Sequence, residues 1–155
     1  MILRRLICFV IVGLALGACQ TVGGEKRARQ FETTVDKLDV SPSSTIMVVY
    51  VGANNCPYCR DWESMKDGVV KRLQASGVEY REAISPMYSD TSSPYYWPDD
   101  IKWITTENAA YVRRGTPRFL VLVDGKVVRN RFGIRGYSQE YIDKLIAARG
   151  AKQAG

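Results

Sequence analysis

The sequence predicts an α/β fold, a central mixed sheet of about four strands flanked by helices, and three observations carry that prediction. Thr45-Ile46-Met47-Val48-Val49-Tyr50-Val51 is a continuous β-rich apolar run, the pattern of a strand covered on both faces. Trp62, Met65, Val69 and Leu73 then mark one face of a helix, and Val78 to Ile84 alternates as a second strand. A strand reached through a helical crossover runs parallel to the first. Asp124-Gly125, between the apolar run Thr116 to Val123 and Lys126 to Phe132, is a hairpin signal and adds an antiparallel pair. At 155 residues there is room for one ordinary domain with a hydrophobic core.

The elements follow in order. Residues 1–18 have Arg4 and Arg5 ahead of an apolar run, Leu6 to Leu16, and then small residues. That run is about eleven residues, short of the roughly twenty a spanning helix needs, and reads as a signal peptide. Leu16-Gly17-Ala18-Cys19 resembles the lipobox of bacterial lipoproteins, which implies lipidation of Cys19 and cleavage just before it. Ordinary secretion, with cleavage near Ala15 to Gly17, and an uncleaved anchor are the alternatives; all three export the domain. Residues 19–30 are polar and Gly-containing, a tether, and residues 31–150 form the domain. Phe31, Val35 and Leu38 predict a short amphipathic helix over roughly 26–39, followed by a loop.

Gly52-Ala53-Asn54-Asn55 breaks the first strand, Pro57 suits the first position of the helix, and that helix ends near Gly77. Residues 85–104 are an insertion rich in Pro, Tyr and Trp without clear period. Its aromatics either cover the sheet edge or form a lip that contacts a partner protein. Thr105 or Thr106 can cap a helix running to Arg114, closed by Gly115, and Ser138 can cap a last helix with Tyr141, Ile142, Leu145 and Ile146 on its apolar face.

Composition narrows the chemistry. Removing Arg4 and Arg5 from the 22 basic residues leaves 20 against 16 acidic ones, a formal +4 spread along the chain, where nucleic-acid binding would want a denser basic stripe. No nucleic-acid partner is therefore expected. The chain has no His, so the commonest metal ligand and general base are missing. Of four cysteines, Cys8 falls in the signal peptide and Cys19 would carry lipid, so the domain keeps Cys56 and Cys59. One close pair closes too small a loop to staple the chain, and its use is chemical rather than structural. At the amino end of a helix a thiolate is stabilised by unpaired N–H groups and the helix dipole, and a second Cys one turn on can resolve the mixed disulfide formed by the first.

The order helix, strand, Cys-x-x-Cys helix, strand, helix, Pro-strand, hairpin, helix resembles the thioredoxin fold over roughly residues 31–149. Two separated motifs carry the likeness: Cys56-Pro57-Tyr58-Cys59, and Thr116-Pro117 directly before the hairpin. The Pro-Tyr dipeptide is similar to glutaredoxins and some periplasmic disulfide isomerases. The resemblance implies a thiol-disulfide oxidoreductase with Cys56 as exposed nucleophile and Cys59 as buried resolving thiol. Pro57 and Tyr58 would contribute to substrate binding, Pro117 would be cis, and the backbone of Thr116 would pair with an extended substrate. No dissociable cofactor and no metal are implied, since the Cys56–Cys59 pair carries the electrons. The implied partners are exported proteins with thiols or disulfides and a membrane redox partner. The implied location is the periplasmic side of a bacterial membrane, held through lipid on Cys19 or free in the periplasm.

The chain departs from thioredoxin in two places. Asn55 replaces a Trp, and Tyr50 stands where a buried Asp would help deprotonate the second Cys. Glu63 can substitute for that acid or be a solvated helix charge, and Arg60 and Arg118 can favour a Cys56 thiolate or be surface charges. Reductase or general thiol exchange is preferred over oxidase or isomerase. The rivals are a redox-inert interaction module using residues 85–103, and metal or iron-sulfur binding at the pair, which two thiolates alone do not complete.

Overall fold

A computed structural model describes residues 30–107, 109–112 and 115–151; the expected signal peptide, Cys19 and all of the tether but Gln30 lie outside these residues. A five-stranded mixed sheet runs in the order β1-β5-β4-β2-β3, with β1 at Phe31–Glu32, β2 at Ile46–Ala53, β3 at Glu79–Ser85, β4 at Arg118–Val123 and β5 at Lys126–Phe132. Among the described residues four α-helices flank it: α1 (Cys59–Ala75), α2 (Trp103–Glu107), α3 (Ala109–Val112) and α4 (Gln139–Ala151). This is the α/β thioredoxin-like topology, with β2 parallel to β3 and antiparallel to β4.

The continuous apolar run of β2 follows from its central place. Val48 and Tyr50 face Trp62, Val69 and Leu73 of α1, with Ile142 and Leu145 of α4, while Val49 and Val51 face a second core. That second core holds Trp97, Ile101, Ile104 and Val112, so residues 85–104 bury a Trp and two Ile under the sheet. Trp97 also donates its indole N–H to the Thr91 carbonyl at 2.8 Å. Tyr88 and Tyr95 of the same segment stay exposed. The hairpin turn has Asp124 at φ 48° and Gly125 at φ 73°, the left-handed pair that a two-residue connection requires. The Asp124 carboxylate accepts from the Thr45 backbone N–H and the Ser44 hydroxyl, both at 2.8 Å, which ties the turn to the start of β2.

Several boundaries differ from the pattern-based expectation. Over the described part of 26–39 the chain forms strand β1 and a 3-10 turn at Val35–Lys37 instead of a helix, which makes five strands where about four are expected. Pairing of Phe31 with Asn130 and Glu32 with Arg129, nearly a hundred residues away, overrides the local period, while Val35 and Leu38 still pack on the core. β2 runs through Gly52 and Ala53 rather than breaking there. α1 begins at Cys59, two residues after Pro57, because Pro57 and Tyr58 form a turn in which the Cys59 N–H bonds the Cys56 carbonyl at 3.2 Å.

Met65 is half exposed: at about 100° per residue it sits roughly 60° off the mean direction of Trp62, Val69 and Leu73. Neither Thr105 nor Thr106 starts a helix. α2 begins at Trp103, and the two hydroxyls donate back to the Lys102 and Trp103 carbonyls at 2.8 and 3.0 Å. Ser138 does cap α4, accepting from the Tyr141 N–H at 3.2 Å, and Tyr141, Ile142 and Leu145 are buried.

Candidate active site

Sheet order brings three connections to one end. Because β2 and β3 are parallel and β4 is antiparallel to β2, the carboxyl ends of β2 and β3 and the start of β4 share an edge, with Val51 opposite Arg118 and Ala53 opposite Ser85. Residues 54–58 leave β2 at the centre of that edge, and Thr116–Pro117 enters β4 beside them. The Thr116–Pro117 bond is cis, as the resemblance implies.

Cys56 and Cys59 are joined as a disulfide with Cα atoms 5.4 Å apart. Cys56 Sγ lies 3.5 Å from the Thr116 carbonyl oxygen, so two motifs sixty residues apart in sequence meet at the sulfur. Cys56 does not match its expected exposure: it is 5 % exposed against 3 % for Cys59. The backbone of Thr116, itself buried, covers the sulfur that the sequence reading leaves open. Pro57 and Tyr58 are exposed, Tyr58 at 70 %, and flank the pair from the helix side.

One cleft of about 250 Å³ borders the sulfurs, lined by Asn54, Cys56, Cys59, Arg60, Glu63 and Ile84, among others. Of the two arginines considered for thiolate stabilisation, Arg60 belongs to this cleft and Arg118 does not. Arg118 is buried instead on Asn130, whose side-chain oxygen accepts from it at 2.7 Å, and beside the Phe132 ring, 6.0 Å from guanidinium carbon to centroid. Burial lowers its pKa to about 10, which leaves it charged at neutral pH.

Asn55, which sequence reasoning left without a role, accepts the Tyr88 backbone N–H through its side-chain oxygen at 2.7 Å. It ties the aromatic segment to the residue before Cys56, and no local pattern signals a bond across 33 positions. Among the described residues no three His, Cys, Asp or Glu side chains are grouped to hold a metal ion, and no helix is long and apolar enough to cross a membrane.

No protein-family model matches the chain, and no curated protein matches it. Among solved structures it is similar to a thioredoxin of Fasciola hepatica, with a TM-score of 0.43 and 16% identity, over 68% of this chain and 82% of that one. It is also similar to thioredoxin f2 of Chlamydomonas reinhardtii, with a TM-score of 0.37 and 17% identity, over 82% of this chain and 99% of that one.

The chemistry open to the site follows from its own atoms. Two sulfurs at disulfide geometry can hold or release two electrons. Cys56 lies just ahead of the seventeen-residue helix α1 and Cys59 is its first residue, at the amino end that favours negative charge, and the pair lies against a backbone carbonyl and a cleft open to solvent.

Proposed function

We propose that this protein is a thiol-disulfide oxidoreductase acting on exported protein thiols and disulfides. The observation that carries the reading is the Cys56–Cys59 disulfide at the amino end of α1, with Thr116–Pro117 brought against Cys56. In the reducing direction the Cys56 thiolate attacks a substrate disulfide, one sulfur leaves as a thiolate, and a mixed disulfide forms. The Cys59 thiolate then attacks Cys56 Sγ, the substrate's second sulfur leaves, and the pair is left oxidised. A membrane redox partner restores the dithiol. Thr116 offers its backbone to an extended substrate, and Pro57 and Tyr58 supply contact surface.

Lipidation at Cys19 would hold the domain at the periplasmic side of a bacterial membrane, and mass spectrometry of the mature amino terminus tests that. Reductase or general thiol exchange is preferred to oxidase or isomerase; the pair's potential decides. For the oxidoreductase reading itself, Cys56→Ser should abolish reduction of an insulin-like substrate, and unchanged turnover would sink it.

A second reading, a redox-inert interaction module, rests on exposed Tyr88 and Tyr95, held by the buried Trp97 anchor. It predicts partner binding that survives replacement of both cysteines.

A further inference from the structure

Eleven residues, 20–30, separate Cys19 from β1, and a peptide spans at most about 3.6 Å per residue, so Cys19 and the start of the domain are never more than about 40 Å apart. Where that chain joins the domain therefore decides what faces the membrane. The side-chain carbonyl of Gln30 accepts the Phe132 backbone N–H at 3.2 Å. Phe132 closes β5 opposite Arg118, the first residue of β4, and Arg118 pairs in turn with Val51. The tether thus enters at the end of the sheet that carries Cys56 and the cis Thr116–Pro117 bond. In the order β1-β5-β4-β2, three strand spacings, about 14 Å, lie between its entry and the connection that bears the disulfide.

The carboxyl-terminal helix ends at the other side. Near the end of α4 the Arg149 guanidinium donates to the Gly77 and Ser76 carbonyls at 3.1 and 2.6 Å, between α1 and β3. Glu79 of β3 pairs with Met47 at the start of β2, so Arg149 lies away from the cysteines by the length of β2, about 23 Å for eight residues. To turn the disulfide away from the bilayer, the tether would have to run back along that length, more than half of its reach. Facing the bilayer uses none of it.

Two further features favour that orientation. Residues 20–30 hold Lys26, Arg27 and Arg29 against one acid, Glu25, and three cations less one anion leave +2, which anionic headgroups attract. Four of the six large apolar side chains exposed among the described residues, Tyr58, Met87, Tyr88 and Phe132, lie at this same end of the sheet. The exposed Arg60 and Arg135 join them, and aromatic residues, Met and Arg together are the composition of a protein-contact surface.

Resting on the oxidoreductase and Cys19-lipidation readings, we propose that the tether turns the active-site end toward the bilayer, and that the exchange partner is a membrane-embedded protein whose paired cysteines lie at the headgroup surface. One partner thiolate attacks Cys56 Sγ, and the Cys56–Cys59 bond breaks with its electron pair leaving on Cys59. The second partner thiolate attacks the first partner sulfur, and Cys56 leaves as a thiolate. Two electrons have then passed from the partner dithiol to the pair, and the two protons shed by the partner end on Cys56 and Cys59. Run backwards, the same exchange reduces a partner disulfide.

The test uses the mature lipoprotein in vesicles of phosphatidylethanolamine and phosphatidylglycerol, with a pyridyl disulfide coupled to a small share of the phosphatidylethanolamine headgroups as the probe. Reduced Cys56 displaces pyridine-2-thione, whose absorbance gives the rate. A comparison form, Cys19→Ser, is held on nickel-chelating lipid by a polyhistidine tail placed after Gly155 through a spacer of equal reach. The native anchor should react with the headgroup probe at least about tenfold faster than the carboxyl-terminal one, while both react equally with a soluble pyridyl disulfide. Twenty Gly and Ser residues inserted after Gly24 should cut the native rate about fivefold, the three-halves power of a tether nearly three times as long. Equal headgroup rates from the two anchors, or a rate indifferent to the insertion, overturn the proposal. So does a Cys59→Ser mixed-disulfide partner that a carbonate wash frees from the membrane fraction once the bond is reduced. Absence of lipid on Cys19 by mass spectrometry removes the lipidation reading, and inertness of every form toward the soluble disulfide removes the oxidoreductase reading. Either takes the proposal with it, and each is read apart from the comparison of anchors.

Discussion

Gly52→Ala places one methyl group at the point where β2 passes over the Tyr50 ring. The added carbon would stand 2.6 Å from the Tyr50 hydroxyl oxygen and 2.8 Å from two ring carbons, inside any normal contact. Tyr50 has nowhere to retreat, since its ring is held by Trp62 at 5.7 Å and Phe119 at 5.4 Å between centroids, and all three side chains are fully buried. Overpacking a filled core costs about 1–3 kcal/mol, and the rigid surroundings argue for about 2 kcal/mol. In urea that moves the unfolding midpoint of the oxidised protein down by about 1 M. Tyr50→Phe in the same background removes the closest atom but leaves the ring carbons, so a double-mutant cycle should return about 0.5–1 kcal/mol of coupling. An unmoved or raised midpoint for Gly52→Ala, or zero coupling, would refute the placement of Tyr50 against Gly52.

Alone, Tyr50→Phe removes a buried hydroxyl without a partner and should raise stability by about 1 kcal/mol in the same assay; a loss of that size would mean the hydroxyl is satisfied. Asp124→Ala loses the acceptor of the Thr45 N–H and Ser44 hydroxyl and leaves Ala at a positive φ, for about 2 kcal/mol by urea unfolding, with no change expected in the rate at which iodoacetamide alkylates reduced Cys56. Alkaline titration followed at 295 nm should divide the nine tyrosines. Tyr137 and Tyr141 are pushed up to about 12, and Tyr50 and Tyr80 higher, burial being the first cause in each. Folded pKa values above the unfolded value of about 10 mean stability held below pH 10 and lost as pH rises from 10 through 12. Buried Arg118 acts in the opposite sense, relieving its burial cost above its folded pKa of about 10. Ionisation of all nine near pH 10 without unfolding would contradict the burial of these four.

Much of the site was legible because its parts are local. The run to Val51, the Cys56-to-Cys59 spacing and Asp124-Gly125 each report their own backbone, and the structure has a strand, a disulfide at the head of a helix and a left-handed hairpin turn at those places. The misreadings share one cause, a distant partner outvoting a local period. Phe31 looks helical with Val35 and Leu38 but pairs with Asn130. Gly52 looks like a breaker but stays in the strand, leaving room for Tyr50. Cys56 looks open in sequence but is covered by Thr116. Arg118, by sequence a neighbour of the cis-proline loop, points instead to Asn130.

The close cysteine pair, the turns and the order of the main elements could be read from sequence alone, because spacing, turn residues and apolar runs are properties of short segments. Tertiary structure decided what those residues face. The meeting of Thr116 with Cys56 and the bond from Tyr88 to Asn55 both depend on β4 and β3 lying on either side of β2. Strand order is set by which faces bury together over the whole chain, a global quantity that no short window of residues contains.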